Sequence, residues 1–217
     1  MDLGVIWKNL PFLGQGLGVT LQTAALVILG GRIAGIATGI VRMSRIPIAR
    51  HLAIVYIEVI RGTPLLVVLF VVYFALPPVI RYKFSAYQAA VIGFIVFIAA
   101  YIAEDYRSGV SSIPRGQVEA GLASGLRRGE VLWHIVLPQA IRLMIPTLFS
   151  QFIRLLKFTS VASVIGVMEL TGAALAVNAR EFRPLEIILT LAVAYFTVCY
   201  LLSLVGRWLN VRYAIRT

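Results

Sequence analysis

The chain has 217 residues, of which 60% are hydrophobic and only 13% charged, with a mean hydropathy of +0.92. A soluble domain carries roughly 25% charged residues, so a soluble globule is excluded and the apolar excess has to face lipid. The formal net charge is +11, but the basic residues stand in small groups between apolar segments with no dense run, which fits membrane topology and argues against nucleic acid as a partner.

A spanning helix needs about 20 mostly apolar residues. Five stretches meet that need: Val19–Val41, Leu52–Leu76, Tyr87–Ala103, Leu143–Val167 and Glu186–Gly206. The chain therefore reads as one all-α integral membrane domain over 1–217, with a polar loop over 111–142 inside it. The first 18 residues hold Pro11 and several glycines in place of a basic head and a short apolar core, so the first span is expected to direct insertion.

That first span carries Gly31, Gly35 and Gly39, four apart on one face. This spacing predicts a close helix seam. Gly14, Gly16 and Gly18 do not have nucleotide-fingerprint spacing and follow no strand.

In the second span, Glu58 and Arg61 are three apart with opposite charge, just before Gly62-Thr63-Pro64. The spacing predicts an ion pair, and the proline predicts a kink or break. Broken helices at mid-membrane mark transport sites because freed backbone groups can bind ligand. Glu104 and Arg107 repeat the pairing at the end of the third span.

The loop that follows reads as a docking element. Ser112 is placed to cap a helix with Pro114 in its first turn, and Gly125 to end it in a left-handed turn. A second short helix is expected to begin near Gly129 and close at Pro138. Val118, Leu122 and Leu126 share one face of this knob.

In the fourth span Thr147, Ser150, Gln151, Arg154, Lys157 and Ser160 recur at steps of three or four and define a polar face. Charges within a span normally face a bundle interior or a wet cavity. Arg154 and Lys157 have like sign, and an anion relieves their repulsion: a solute carboxylate, or an acid such as Glu58 or Glu104.

Lys and Arg orient the chain. Arg42, Arg45, Arg50, Arg115, Arg127, Arg128, Arg142, Arg207, Arg212 and Arg216 fall on one side, and Lys8, Arg81, Lys83, Arg180 and Arg183 on the other. The richer side is expected to be cytoplasmic, with the N-terminus outside and the C-terminus inside.

No lysine follows a glycine, so no phosphate loop exists and the chain cannot use ATP alone. His51 and His134 lack metalloprotease spacing, and the single Cys199 gives no disulfide or zinc pattern, so neither a metal site nor a catalytic constellation is expected. A stand-alone ion-coupled transporter or channel accounts for the intramembrane charges and leaves the loop unexplained.

The loop sequence Gln117-Val-Glu119-Ala120-Gly121, then Gly125, Ile135, Leu137 and Pro138, resembles the segment by which permease subunits of binding-protein-dependent ABC importers grip their ATPases. Gly18-Val-Thr-Leu21, Arg61-Gly-Thr63-Pro64-Leu65, Ala100-Tyr-Ile-Ala-Glu104, Leu137-Pro-Gln-Ala140 and Lys157-Phe-Thr159-Ser160 resemble elements of the polar amino-acid branch. The resemblance covers nearly the whole chain.

The resemblance implies the ABC importer permease fold in a bacterial inner membrane. It implies two ATPase subunits that bind ATP and Mg, a second permease subunit, identical or similar, and a solute-binding protein. No cofactor is implied in this chain. Gly121 and Ser124 depart from the usual alanine and leucine but keep the side chains small. Phe158 stands where relatives carry aspartate, which removes a carboxylate for a solute amine.

Overall fold

The computed structural model describes residues 3–213, and all of its regular elements are helices. In chain order these are α1 (Leu3–Met43), α2 (Pro47–Gly62), α3 (Leu65–Ile80), α4 (Ala86–Ser111), α5 (Arg115–Ala123), α6 (Arg128–Ile165), α7 (Leu170–Glu181) and α8 (Pro184–Tyr213). Helices α1, α4, α6 and α8 are long and apolar enough to cross a membrane; α2 and α3 are so only as a pair, bent by 112°, which has the form of a broken span or a re-entrant loop. All-helical spans are required where lipid offers the backbone no hydrogen bonds.

The bend falls where the sequence places it. Pro64 lacks an N–H, and Thr63 closes α2 instead, its hydroxyl donating to the Val59 carbonyl at 2.7 Å. Two further prolines are absorbed without a break. A proline ring collides with the carbonyl four residues back, and the helix widens by one residue to make room. Such π-turns occupy Val71–Ala75 ahead of Pro77 and Leu132–Val136 ahead of Pro138. Pro138 therefore does not close a second short helix. The residues from Arg128 onward are the opening turns of the fourth span, which begins well before Leu143.

α1 also exceeds its expected length: it starts at Leu3 and runs through Pro11. The added turns pack on α7, where a side chain at Gly16 would stand 2.8 Å from Ala173 Cβ. The glycine seam is present against α4. A Cβ at Gly35 would lie 2.9 Å from the Ala99 carbonyl, and one at Gly39 3.2 Å from that of Ala103.

The main core lies around α4, where Phe94, Ile98 and Ile102 meet Val27 of α1 and Leu69 of α3. A polar cluster ties α1, α7 and α8 together. Glu169, 1% exposed, caps α7 through the Thr171 and Gly172 N–H groups and accepts from Tyr195 Oη at 2.9 Å and Thr20 Oγ1 at 3.4 Å. A buried carboxylate with this many donors is satisfied. The outer face of α8, with Leu185, Val193, Phe196 and Leu204, is exposed and apolar.

Candidate functional site

Arginines of three helices converge on one carboxylate. Glu104 on α4 accepts from Arg107 at 2.9 Å and 2.6 Å, bonds Arg42 at the end of α1, and lies 3.9 Å from Arg61 of α2. Arg61 therefore turns to Glu104 and not to Glu58, which is exposed and forms no ion pair among the described residues. An arginine reaches farther than the turn-to-turn spacing on its own helix, and Glu104 offers a less exposed, lower-dielectric partner. Arg61 also lies 5.6 Å from the Tyr101 ring centroid, and Arg154 of α6 5.9 Å from the same ring. Tyr101 thus links the broken span to α6 through two cation–π contacts.

The polar face of α6 divides. Gln151 is 4% exposed and donates through Nε2 to Asp105 Oδ2 at 2.8 Å. The hydroxyls of Ser150, Thr159 and Ser160 bond carbonyls of their own helix, and Thr159 is fully buried. Thr147, Arg154 and Lys157 are exposed. Arg154 and Lys157 form no ion pair with Glu58, Glu104 or any other acid among the described residues. Phe158 packs edge-on against Phe97, ring centroids 5.9 Å apart.

The loop forms a knob on its own small core of Ile113, Val131, Val136 and Ala140, with Val118, Leu126 and Ile135 packed against it. Leu122 points outward, not onto the shared face. Gly121 takes the buried position: a Cβ there would stand 2.6 Å from Ile135 Cδ1 and 3.0 Å from Val131 Cγ2. Gly125 has φ +87°, its N–H donates to Leu122 O at 3.0 Å, and the Leu126 N–H returns to Gly121 O at 3.2 Å. These bonds are a left-handed helix stop.

The start of the knob differs from the sequence expectation. Pro114 is itself the N-cap of α5, and the Ser112 hydroxyl donates back to Gly109 O at 2.7 Å, finishing α4. Gln117, Glu119, Ala120 and Pro138 are exposed; Leu137 and Ile135 are half-buried. Gln139 of α6 bonds Gln117 of α5 across the knob.

Residues 28–215 match the family model described as "Binding-protein-dependent transport system inner membrane component". The chain belongs to this family. As one of its inner-membrane components it is a transport subunit and not an enzyme. It is 42% identical over 212 residues to the glutamine transport system permease protein of Escherichia coli strain K12, covering 97% of each chain. A probable glutamine ABC transporter permease protein of Bacillus subtilis strain 168 is 41% identical, over 94% of this chain and 95% of that one. Among solved structures, an amino acid ABC transporter crystallised with histidines matches with a TM-score of 0.94 at 31% identity, over 98% of this chain and 99% of that one. An inward-facing methionine ABC transporter matches at 0.81 with 17% identity, over 99% and 100%, a likeness of fold.

Several participants escape the sequence reading. Arg42 counts there as a loop charge, yet it reaches Glu104, 62 residues away. Asp105 follows Glu104 directly, so its side chain leaves α4 about 100° around the axis and meets Gln151 of α6, with no arginine at ion-pair distance among the described residues. Gln139 and Tyr101 carry no charge to signal them.

Proposed function

We propose that this permease component imports polar amino acids, glutamine foremost, across a bacterial inner membrane in an ATP-driven assembly. The observation that carries the reading is chain-long similarity to amino-acid permeases joined to a knob whose turn rests on Gly125. Two ATPase chains bind ATP and Mg and seat the exposed Gln117, Glu119, Ala120 and Gly125. Gly121, Ile135, Leu137 and Pro138 keep the knob in shape. A second permease subunit, identical or similar, completes the pathway, and a binding protein delivers solute from outside. The test is to purify the chain with its partners and measure ATP hydrolysis stimulated by binding protein loaded with each amino acid in turn. Stimulation by none of them overturns the reading.

The N-terminus lies outside and the knob in the cytoplasm in this reading, which the uneven distribution of Lys and Arg supports. In a Cys199→Ser background, Arg81→Cys and Arg127→Cys are expected to react with an impermeant thiol reagent from opposite sides of the membrane. Labelling of both from the outside overturns that topology.

The solute path runs between the Glu58–Pro64 region, with Arg61 and Thr63, and the Gln151–Ser160 face. Arg154 and Lys157 lack an acid at ion-pair distance among the described residues, which suits them to a solute carboxylate. Phe158 supplies no charge for the ammonium group, so that contact falls to the second permease subunit. Lys157→Met is expected to raise the solute concentration for half-maximal uptake about tenfold, the worth of one charge-assisted hydrogen bond, with assembly intact. Unchanged uptake kinetics in both Lys157→Met and Arg154→Met remove these residues from the path.

A further inference from the structure

We propose a second solute site, adjoining that path at Gln151, at the end of the bundle that carries the knob: a cavity that takes a free amino acid from the cytoplasmic side and registers it on the docking helix. The inference rests on the transport reading above for its solute class and its sidedness.

The cavity has a volume of about 500 Å³, within the roughly 300–1,000 Å³ of small-molecule sites. Its polar wall is Asp105, Ser108, Ser112, Gln117, Gln139 and Thr147, and its apolar floor includes Leu143 and Met144. That mixture of a mostly apolar cleft with a few convergent polar groups is what fixes the orientation of a small polar ligand.

Asp105 supplies the charge. Gln151 holds its Oδ2 at 2.8 Å, while Oδ1 has no hydrogen-bond partner among the described residues. No arginine or lysine comes within ion-pair distance of it there. A half-buried carboxylate with one oxygen anchored and one open is short of a cationic donor. An ammonium group meets that need with N–H donors and a positive charge.

The two glutamines supply the complement. Gln139 Nε2 donates to Gln117 Oε1 and to Ile135 O. That leaves Gln139 Oε1 and Gln117 Nε2, one acceptor and one donor, without partners among the described residues, and such a pair suits a ligand carboxamide or carboxylate.

The elements involved give the site its consequence. Gln117 is on α5, the docking helix, and Gln139 is on α6 just beyond the π-turn. A ligand bonded to both holds the knob against the span. Movement of the knob then requires breaking those bonds, so accumulated solute slows its own import.

The test uses the full complex with its ATPase partners, binding protein omitted, carrying Ser112→Cys and Cys199→Ser. Alkylation by N-ethylmaleimide is timed with and without each of the common L-amino acids, L-glutamine and L-histidine first. At least one is expected to protect Ser112→Cys. Adding Asp105→Asn is expected to raise the half-protecting concentration about tenfold, as loss of one charge-assisted hydrogen bond implies. Gln139→Leu, on α6 and not among the residues seated on the ATPase, is expected to weaken protection as well and decides the matter if Asp105→Asn does not assemble. An alkylation rate unaffected by every amino acid overturns the site, as does protection unchanged by these variants. Import without protection removes this site alone; protection without import removes the transport reading alone.

Discussion

Glu104→Gln is expected to give a complex that melts several degrees lower and imports no solute. Glutamine keeps the volume and an acceptor oxygen, so the change isolates the charge. That charge is shared by Arg42, Arg61 and Arg107, which come from three helices. Removing it leaves three guanidinium groups converging on a neutral amide. Breaking a fully buried pair costs about 3–5 kcal/mol, and the 20% exposure of the Glu104 side chain brings the expected loss down to about 2 kcal/mol.

The functional loss is larger than the stability loss because of where Arg61 stands. It is the last charged residue before Gly62 and Pro64, and its tie to Glu104 fixes the end of α2 next to the 112° bend. Arg107→Gln is the contrasting case. It removes a half-exposed partner three residues away on the same helix, and surface pairs of that kind contribute about 1 kcal/mol or less. Thermal melting of the purified complex and uptake into vesicles check both. A Glu104→Gln complex with wild-type melting and uptake removes the network from any structural role.

Features set by neighbours in sequence were legible. Proline at 64 predicts the break, glycines four apart predict a close seam, which forms against α4, and Gly125 sits in the left-handed turn its position implies. Features set by distant parts of the chain were not. Pro138 reads locally as a helix end, but a π-turn upstream absorbs it and the span continues. Pro11 lies ahead of the expected first span, yet α1 runs through it, with Leu13 buried against Ala173, Ala174 and Val177. Arg61 has an acid three residues away and a better-shielded one on another helix, and periodicity has no means of ranking them. Glu169 gave no signal because its partners Thr20 and Tyr195 lie 149 and 26 residues away. Leu122 fits the apolar face by spacing, yet the packed position belongs to Gly121, which lets α5 settle against Ile135 and Val131.

Gly125→Pro is expected to abolish solute-stimulated ATP hydrolysis while the chain still inserts and pairs with its second permease subunit. Gly125 holds φ at +87°, and proline fixes it near about −65°, so the turn cannot form. Proline also deletes the N–H that donates to Leu122 O at 3.0 Å. Nothing lies within 4 Å of a Cβ built at this position, so crowding at Cβ plays no part; the backbone angle decides the outcome, with the lost N–H adding to it for proline. A graded series follows from that. Gly125→Asn tolerates the left-handed region and is expected to stay near wild type, whereas Gly125→Ala bears a cost of about 1–2 kcal/mol and falls between. Glu119→Lys tests the surface and not the turn. Glu119 is exposed and forms no ion pair among the described residues, so its reversal leaves the knob folded and changes only the charge shown to the ATPase groove. Both variants are therefore expected to lose the ATPase on copurification, one through shape and the other through charge. Normal yield of the ATPase with normal uptake in Gly125→Pro and Glu119→Lys would show that the knob is not where the two proteins meet.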